Sequence, residues 1–165
     1  HGAFNEPDAA AIEEAVQRCT APFARKGGDL NAVREELYNL MWDDVGIVRD
    51  AASLARAEGK LEELAARIDT IGVEGANRAF NMTWHDWINL KNLIMVSQSI
   101  RTAAIAREDS RGAHFRSDFP DARDLENSRY TCVQWRGGRF EITTRPVAFT
   151  RVRPGQSLLN PENVA

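Results

Sequence analysis

Cysteine is scarce: Cys19 and Cys132 are the only two in 165 residues, far apart and outside any CxxC or Cys/His cluster. That excludes a disulfide framework and a zinc site. No apolar run approaches the roughly 18 residues that a membrane span needs, and the first residues show no signal-peptide pattern, so the cytoplasm is the expected compartment. An excess of basic charge is also lacking. The formal charge is −3, with acids and bases interspersed, which argues against a nucleic-acid partner. The glycines fit neither GxGxxG nor a P-loop. No internal repeat or low-complexity tract occurs.

What is present is a chain that should fold. Apolar residues make up 43% and charged residues 27%, near the average for globular proteins. The length suits one principal unit with appendages. Pro7 opens a helix expected over 7–24, striped by Ala11, Ile12, Ala15, Val16 and Cys19. Gly27 and Gly28 break it. Asp29 caps a second helix that runs to about Gly46 through Leu30, Val33, Leu37, Leu40 and Met41. Asp50 caps a third, with Leu54, Ala57, Leu61, Leu64, Ala65 and Ile68 on its stripe and Gly59 weakening its middle. Thr83 with Asp86 suggests the cap of the longest helix, from Trp84 to about Asp109, striped by Trp87, Leu90, Leu93, Ile94, Ser97, Ile100, Ala104 and Ile105. Tyr130–Trp135 and Phe140–Thr144 alternate as strands about a Gly137–Gly138 turn, and Pro146 limits the second.

The fold class is therefore mainly α: a helical bundle of three to four helices, spectrin-repeat-like, followed by a C-terminal β-hairpin. The expected divisions are a bundle over 1–112, a loop and hairpin packed on the same domain over 113–153, and a flexible tail over 154–165. A lone hairpin is marginal in water, so this one must lie on the bundle or against another body.

The search for chemistry is short. Ser110 and His114 stand four residues apart, but Gly112 between them is expected to end the helix, which weakens a hydrolase reading. His85 and His114 have no second metal ligand at useful spacing, and His1 stands alone at the terminus. Trp42, Trp84 and Trp87 read as core or interface rather than a stacking site. Asp43, Asp44, Arg49 and Asp50 cluster at a turn, where an arginine bridges helix termini. Arginine is dense from Arg101 onward and suggests either a solvated basic face or a surface for carboxylates or phosphates. No complete catalytic, cofactor-binding or metal-ligating set emerges.

Two stretches resemble a known family. "VREELYNLMWDDVGIVRD", Val33 to Asp50, is similar to a segment of the flavoprotein subunits of succinate dehydrogenase and fumarate reductase that reads L-R-x-E-L-Q-x-x-M and then V-G-I-x-R. "NLKNLIMVSQSIRTAAIAREDSRGAHFRSDFP", Asn89 to Pro120, resembles their later helix and its S-R-G-A-H-x-R-x-D-x-P ending. The hairpin and the "RPV" at 145–147 complete the layout, which L-aspartate oxidase shares and adenylylsulfate reductase follows more distantly. Tyr38 stands where glutamine is common, Asp109 replaces a glutamate, and "PDARDLENSRYT" lacks an aspartate and a tryptophan.

The resemblance implies the C-terminal helical domain of an FAD-dependent oxidoreductase, with the FAD-binding and capping domains as its partners in the parent chain. Those domains would carry out hydride transfer with a dicarboxylate. No FAD ligand is implied within this sequence. An iron-sulfur subunit is a further implied partner, and through such partners the protein would meet the cytoplasmic face of a membrane. The residues expected to dock the domains together are Arg49, Arg107, Ser110, Arg111, His114, Arg116 and Asp118. The rival expectation is a freestanding helical module that binds a protein through its arginine-rich hairpin.

Overall fold

The structure, a computed structural model, describes residues 6–157 and 159. Most of the tail expected beyond Pro154, together with His1, lies outside those residues. The chain divides into two compact units, His1–Leu40 with Gly59–Ser97 and Met41–Glu58 with Gln98–Ala165. Its elements are α1 (Ala9–Thr20) with a 3-10 turn (Ala21–Ala24), α2 (Leu30–Asp43), β1 (Val48–Arg49), α3 (Ala51–Ile68), α4 (Met82–Ala106), β2 (Phe115–Arg116), β3 (Arg129–Arg136) and β4 (Arg139–Pro146). The expected class, mainly α with a C-terminal hairpin, is the one observed.

In the first unit the core is aliphatic around one indole. Val33 and Leu37 of α2, Leu61 and Ile68 of α3, and Trp87, Leu90 and Ile94 of α4 are almost wholly buried. Trp87 donates its indole N–H to the Ile68 carbonyl at 2.9 Å, so the polar edge of a large apolar ring is satisfied at the end of α3. Asp29 accepts the Ala32 amide at 2.9 Å as the expected cap of α2. Gly59 lies exposed within α3, and an added Cβ there would meet nothing within 4 Å. Gly59→Ala should therefore stabilise the chain by about 0.5–1 kcal/mol; a thermal melt that fails to rise would contradict this.

Several local expectations shift. Asp8, not the Pro7 turn, caps α1, accepting the Ala10 and Ala11 amides at 3.0 and 3.2 Å. That helix buries none of its residues: Ile12 and Val16 stay about half exposed. The cap of α4 is Asn81, whose side chain accepts the Trp84 amide at 2.9 Å, because α4 begins at Met82 and Thr83 already lies inside it. Asp86 instead pairs with Arg34 at 2.6 Å. Trp87, Leu90, Ile94, Ser97, Arg101 and Ala104 make up the buried stripe of α4, while Leu93 and Ile100 are exposed. This 3-4-3-4-3 spacing follows the helical period, and it turns a charged residue inward.

The second unit holds all four strands of the described residues. β1 and β2 pair in parallel, Val48 with Phe115 and Arg49 with Arg116, a junction between residues 67 apart that no local pattern announces. β3 and β4 pair antiparallel from Arg129↔Pro146 to Arg136↔Arg139. Both turn residues are left-handed, Gly137 at φ 54° and Gly138 at φ 81°, which is the turn that matches strand twist. Pro146 ends β4 as expected.

Candidate functional site

All seven residues marked as docking candidates lie in the second unit, and most of them meet in one knot. α4 stops at Ala106 rather than near Asp109, and the reason lies downstream. Arg116 Nη1 donates to the carbonyls of Ala104, Ile105 and Arg107 at 3.1, 3.2 and 3.0 Å. Those are carbonyls that a helix end leaves without partners, and a cation there also suits the helix dipole. The other edge of the guanidinium grips Asp118, Nε to Oδ1 and Nη2 to Oδ2, both at 2.7 Å. Asp118 Oδ2 in turn accepts the amide of Ala51, the first residue of α3, at 3.0 Å. One arginine and one carboxylate thus tie the end of α4 to the start of α3.

Arg116 is 1% exposed, and its remaining flat face lies over the Phe119 ring at 4.9 Å. Ser110, also buried, accepts the Arg116 amide at 2.8 Å and donates to the Phe119 carbonyl at 2.8 Å. Its hydroxyl is engaged with backbone and not with His114. Arg111 and His114 exchange amide hydrogen bonds across a tight turn, where Gly112 takes φ 57°. A residue with a Cβ is strained in that conformation.

Arg111 is a second staple. Its Nε and Nη2 donate to the carbonyls of Ala122 and Asp124 at 2.8 and 3.0 Å, and Nη1 donates to Ser128 Oγ at 2.7 Å. Asp109 sits between two arginines. It takes both N–H groups of Arg107 at 3.0 and 3.1 Å, and Arg111 Nε at 2.9 Å. Arg49 donates Nε to the Val45 carbonyl at 3.1 Å and to the Gly46 carbonyl, and its Nη1 meets His114 Nδ1 at 2.6 Å. Since guanidinium only donates, His114 Nδ1 is an acceptor here and the ring is neutral. Arg49 grips carbonyls of the loop after α2 and reaches His114, whereas the start of α3 is held by Asp118 instead.

The electrostatics follow the geometry. The hydrogen bonds from Arg116 hold the Asp118 carboxyl at about 2, well below its ordinary 3.8. Burial, then the neighbouring Arg49, push His114 below its ordinary 6.5; a backbone hydrogen bond at Arg107 and the Asp109 carboxylate oppose that shift, and the Arg107 charge adds to it. Burial lowers Arg49, whereas the hydrogen bond to Asp118 raises Arg116. A histidine depressed in the folded state stabilises the fold fully above its ordinary pKa and loses that contribution as pH falls through the folded value. The melting temperature should therefore drop from pH 6.5 downward by more in the native chain than in His114→Gln. A second loss, due to Asp118, belongs between about pH 4 and 2. Parallel curves for native chain and His114→Gln would refute the first assignment.

Arg101 was missed as a site residue. It is 9% exposed, donates to the Leu54 carbonyl at 2.8 Å, and grips Glu58 with two bonds at 2.7 and 2.8 Å. Its place between Ser97 and Ala104 on the buried stripe was the available signal. Among the described residues, no group of three His, Cys, Asp or Glu side chains is placed to hold a metal. His85 is exposed and its ring lies beside Trp84. An open cavity of about 400 Å³ in the first unit is lined by residues including Gly28, Asp29 and Asp86, whose acids already serve the α2 cap and Arg34.

Around the knot the surface is apolar. Trp42 is 80% exposed, Ile47 and Val48 64% each, and Phe115 39%; β1–β2 pairing places Val48 and Phe115 side by side. Polar groups are turned inward onto backbone, and large hydrophobes are left outside.

Compared with known sequences, residues 34–159 match the fumarate reductase flavoprotein C-terminal region. The chain belongs to this family. It is 36% identical over 128 residues to the 8-methylmenaquinol:fumarate reductase flavoprotein subunit of Wolinella succinogenes, covering 76% of this chain and 21% of that protein. The chloroplastic L-aspartate oxidase of Arabidopsis thaliana is 35% identical over 122 residues, covering 66% of this chain and 18% of that protein. In three dimensions, the Mycobacterium smegmatis Sdh1 structure in complex with UQ1 overlays with a TM-score of 0.73 at 33% identity, over 86% of this chain and 24% of that one. The chain spans about a fifth of the length of the curated relatives it matches. The flavoprotein resemblance expected from residues 33–50 and 89–120 is the one found, and it favours the family reading over the freestanding module. Among the described residues of this flavoprotein region no helix is long and apolar enough to cross a membrane.

Proposed function

We propose that the chain is the C-terminal helical part of an FAD-dependent flavoprotein of the succinate dehydrogenase and fumarate reductase type, and that it docks on FAD-binding and capping domains that exchange hydride with a dicarboxylate. The observation that carries this reading is the arginine knot. Arg111, Arg116 and Ser110 are engaged with carbonyls, an amide and carboxylates of their own chain, so they hold a shape rather than wait for a substrate. In this reading Arg49, Arg107, Ser110, Arg111, His114, Arg116 and Asp118 together set the contour of the docking face, and Trp42, Ile47, Val48 and Phe115 supply its apolar contact. An iron-sulfur subunit as electron partner, and a place on the cytoplasmic side of a membrane through partner subunits, belong to the same proposal.

FAD itself does not fit the residues present. The described residues form two two-stranded sheets and no strand-turn-helix dinucleotide cradle, so in this reading the flavin and its chemistry belong to the other domains. The test compares flavin absorbance and fumarate-dependent dye oxidation of a full-length chain with those of this 165-residue chain. Flavin and turnover in the former, with a folded but colourless and inert product in the latter, is the expected result. In the full-length chain Arg111→Ala should lower retained flavin more than the rate per bound flavin. Intact flavin with collapsed turnover would assign Arg111 to the chemistry instead.

A further inference from the structure

The β1–β2 junction is held by very little. It is a parallel pair two residues long, too short to be stable without other ties. Its backbone bonds run from the Phe115 amide to the Ile47 carbonyl at 3.1 Å and from the Ser117 amide to the Arg49 carbonyl at 2.8 Å, a carbonyl that the Ser117 hydroxyl also reaches at 3.2 Å. Side chains tie both ends. At one end Arg49 Nη1 donates to His114 Nδ1 at 2.6 Å, and at the other Asp118 accepts the Ala51 amide at 3.0 Å. Between these ties Val48 and Phe115 stand side by side with much of their surface exposed.

The two ties answer a proton differently. His114 receives Arg49 only while Nδ1 keeps its lone pair, and a proton there would set two cationic donors against each other at 2.6 Å. The surroundings offer an imidazolium no free acid. Arg49 and Arg107 face the ring as cations, and the neighbouring Asp109 carboxylate is already gripped by Arg107 and Arg111. The backbone at Arg107 favours a proton on the ring, yet its carbonyl is shared with Arg116 Nη1 at 3.0 Å. Asp118, whose carboxyl is held at about 2, stays charged throughout this range, so its end remains tied.

We propose that the Arg49–His114 contact is a proton-operated latch on the docking face: with the ring neutral it keeps Val48 and Phe115 paired, and a proton at Nδ1 releases Arg49 and opens the junction at the Phe115 end. The latch rests on the proposed function for what that face meets. Opening takes up one proton, so the ratio of closed to open falls only below the ordinary histidine value.

The test begins on the 165-residue chain, by amide hydrogen exchange referred to the intrinsic rate at each pH. Between about pH 7.5 and about pH 5.5 the Phe115 amide should lose protection, by up to about tenfold per pH unit below the ordinary histidine value, the limit for uptake of one proton. The Ala51 and Leu54 amides, bonded to Asp118 and to the Asp50 carbonyl, should keep theirs. Nitrogen NMR of the His114 ring should pass from one protonated nitrogen to two over the same range. His114→Gln offers Arg49 an amide oxygen that does not titrate, and its Phe115 protection should stay level. Protection that stays level in the native chain, falls equally in His114→Gln, or falls at Leu54 as much as at Phe115 would each overturn the latch. In a full-length chain, flavin retained through gel filtration should fall over this range in the native protein and hold its ratio in His114→Gln; equal ratios in both would overturn the coupling to docking. A full-length chain without flavin at either pH would refute the flavoprotein reading alone, because the exchange is read on this chain by itself.

Discussion

Arg116→Ala should cost the chain about 3–5 kcal/mol, the usual penalty for removing one partner of a buried, hydrogen-bonded ion pair. The loss has three sources. Three carbonyls at the end of α4 lose their donor, and an unsatisfied buried acceptor costs about 1–3 kcal/mol where water cannot replace the donor. Asp118 loses both bonds that hold it against the Ala51 amide. The Phe119 ring loses the cation over its face. Against a typical total stability of about 5–15 kcal/mol, that is enough to leave a marginal fold. Arg116→Lys should recover only a minor part, because an ammonium cannot fork onto a carboxylate and reach three carbonyls as well. Urea unfolding at pH 7 is the measurement. A midpoint unchanged in Arg116→Ala would mean that water replaces the guanidinium freely, which its 1% exposure does not allow.

Trp87→Ala should be as damaging to the first unit, by about 3–5 kcal/mol, through the cavity left by the largest buried side chain. Trp87 is 2% exposed. Beyond its volume it serves two further contacts. Its N–H satisfies the Ile68 carbonyl at 2.9 Å, and its ring lies near the cations of Arg25 and Lys91 at 5.8 and 5.2 Å. Trp87→Phe separates the parts, since a smaller ring fills most of the space and leaves the carbonyl without its donor. It should cost about 1–3 kcal/mol. Thermal melts followed by circular dichroism would rank native above Trp87→Phe above Trp87→Ala. Equal melts for the two variants would assign the whole effect to the indole N–H.

The two sites differ in how far the sequence exposed them. Trp87 stood on a helical stripe with Leu90 and Ile94, and its burial follows from that spacing. The stripes of α2 and α3 were legible for the same reason, and so was the hairpin, whose two glycines leave few alternatives to a left-handed turn. α1 shows the limit of that reading. It has the spacing and the Asp8 cap of an amphipathic helix, yet Ile12 and Val16 stay about half exposed, because periodicity says which face is apolar and not how far anything covers it. The register of α4 slipped in the same way: Leu93 and Ile100 were as apolar as their neighbours, and the packing chose the row that includes Arg101.

The sequence by itself determined the local terms: which segments are helical, that Asp29 and Asp50 begin two of them, where the chain turns at Gly137–Gly138, and that the stretches around 33–50 and 89–120 carry the pattern of one flavoprotein family. Those are decided within a few residues by propensity, capping and period. Only the tertiary structure decided that Arg116 is buried and Arg136 is not, that Asp118 reaches back 67 residues to the Ala51 amide, and that Ser110 serves backbone instead of His114. An arginine has the same charge and length wherever it stands. Which one turns inward depends on whether long-range closure, here β1 against β2, brings orphaned carbonyls and a carboxylate within its reach, and that information is not local to any stretch of the chain.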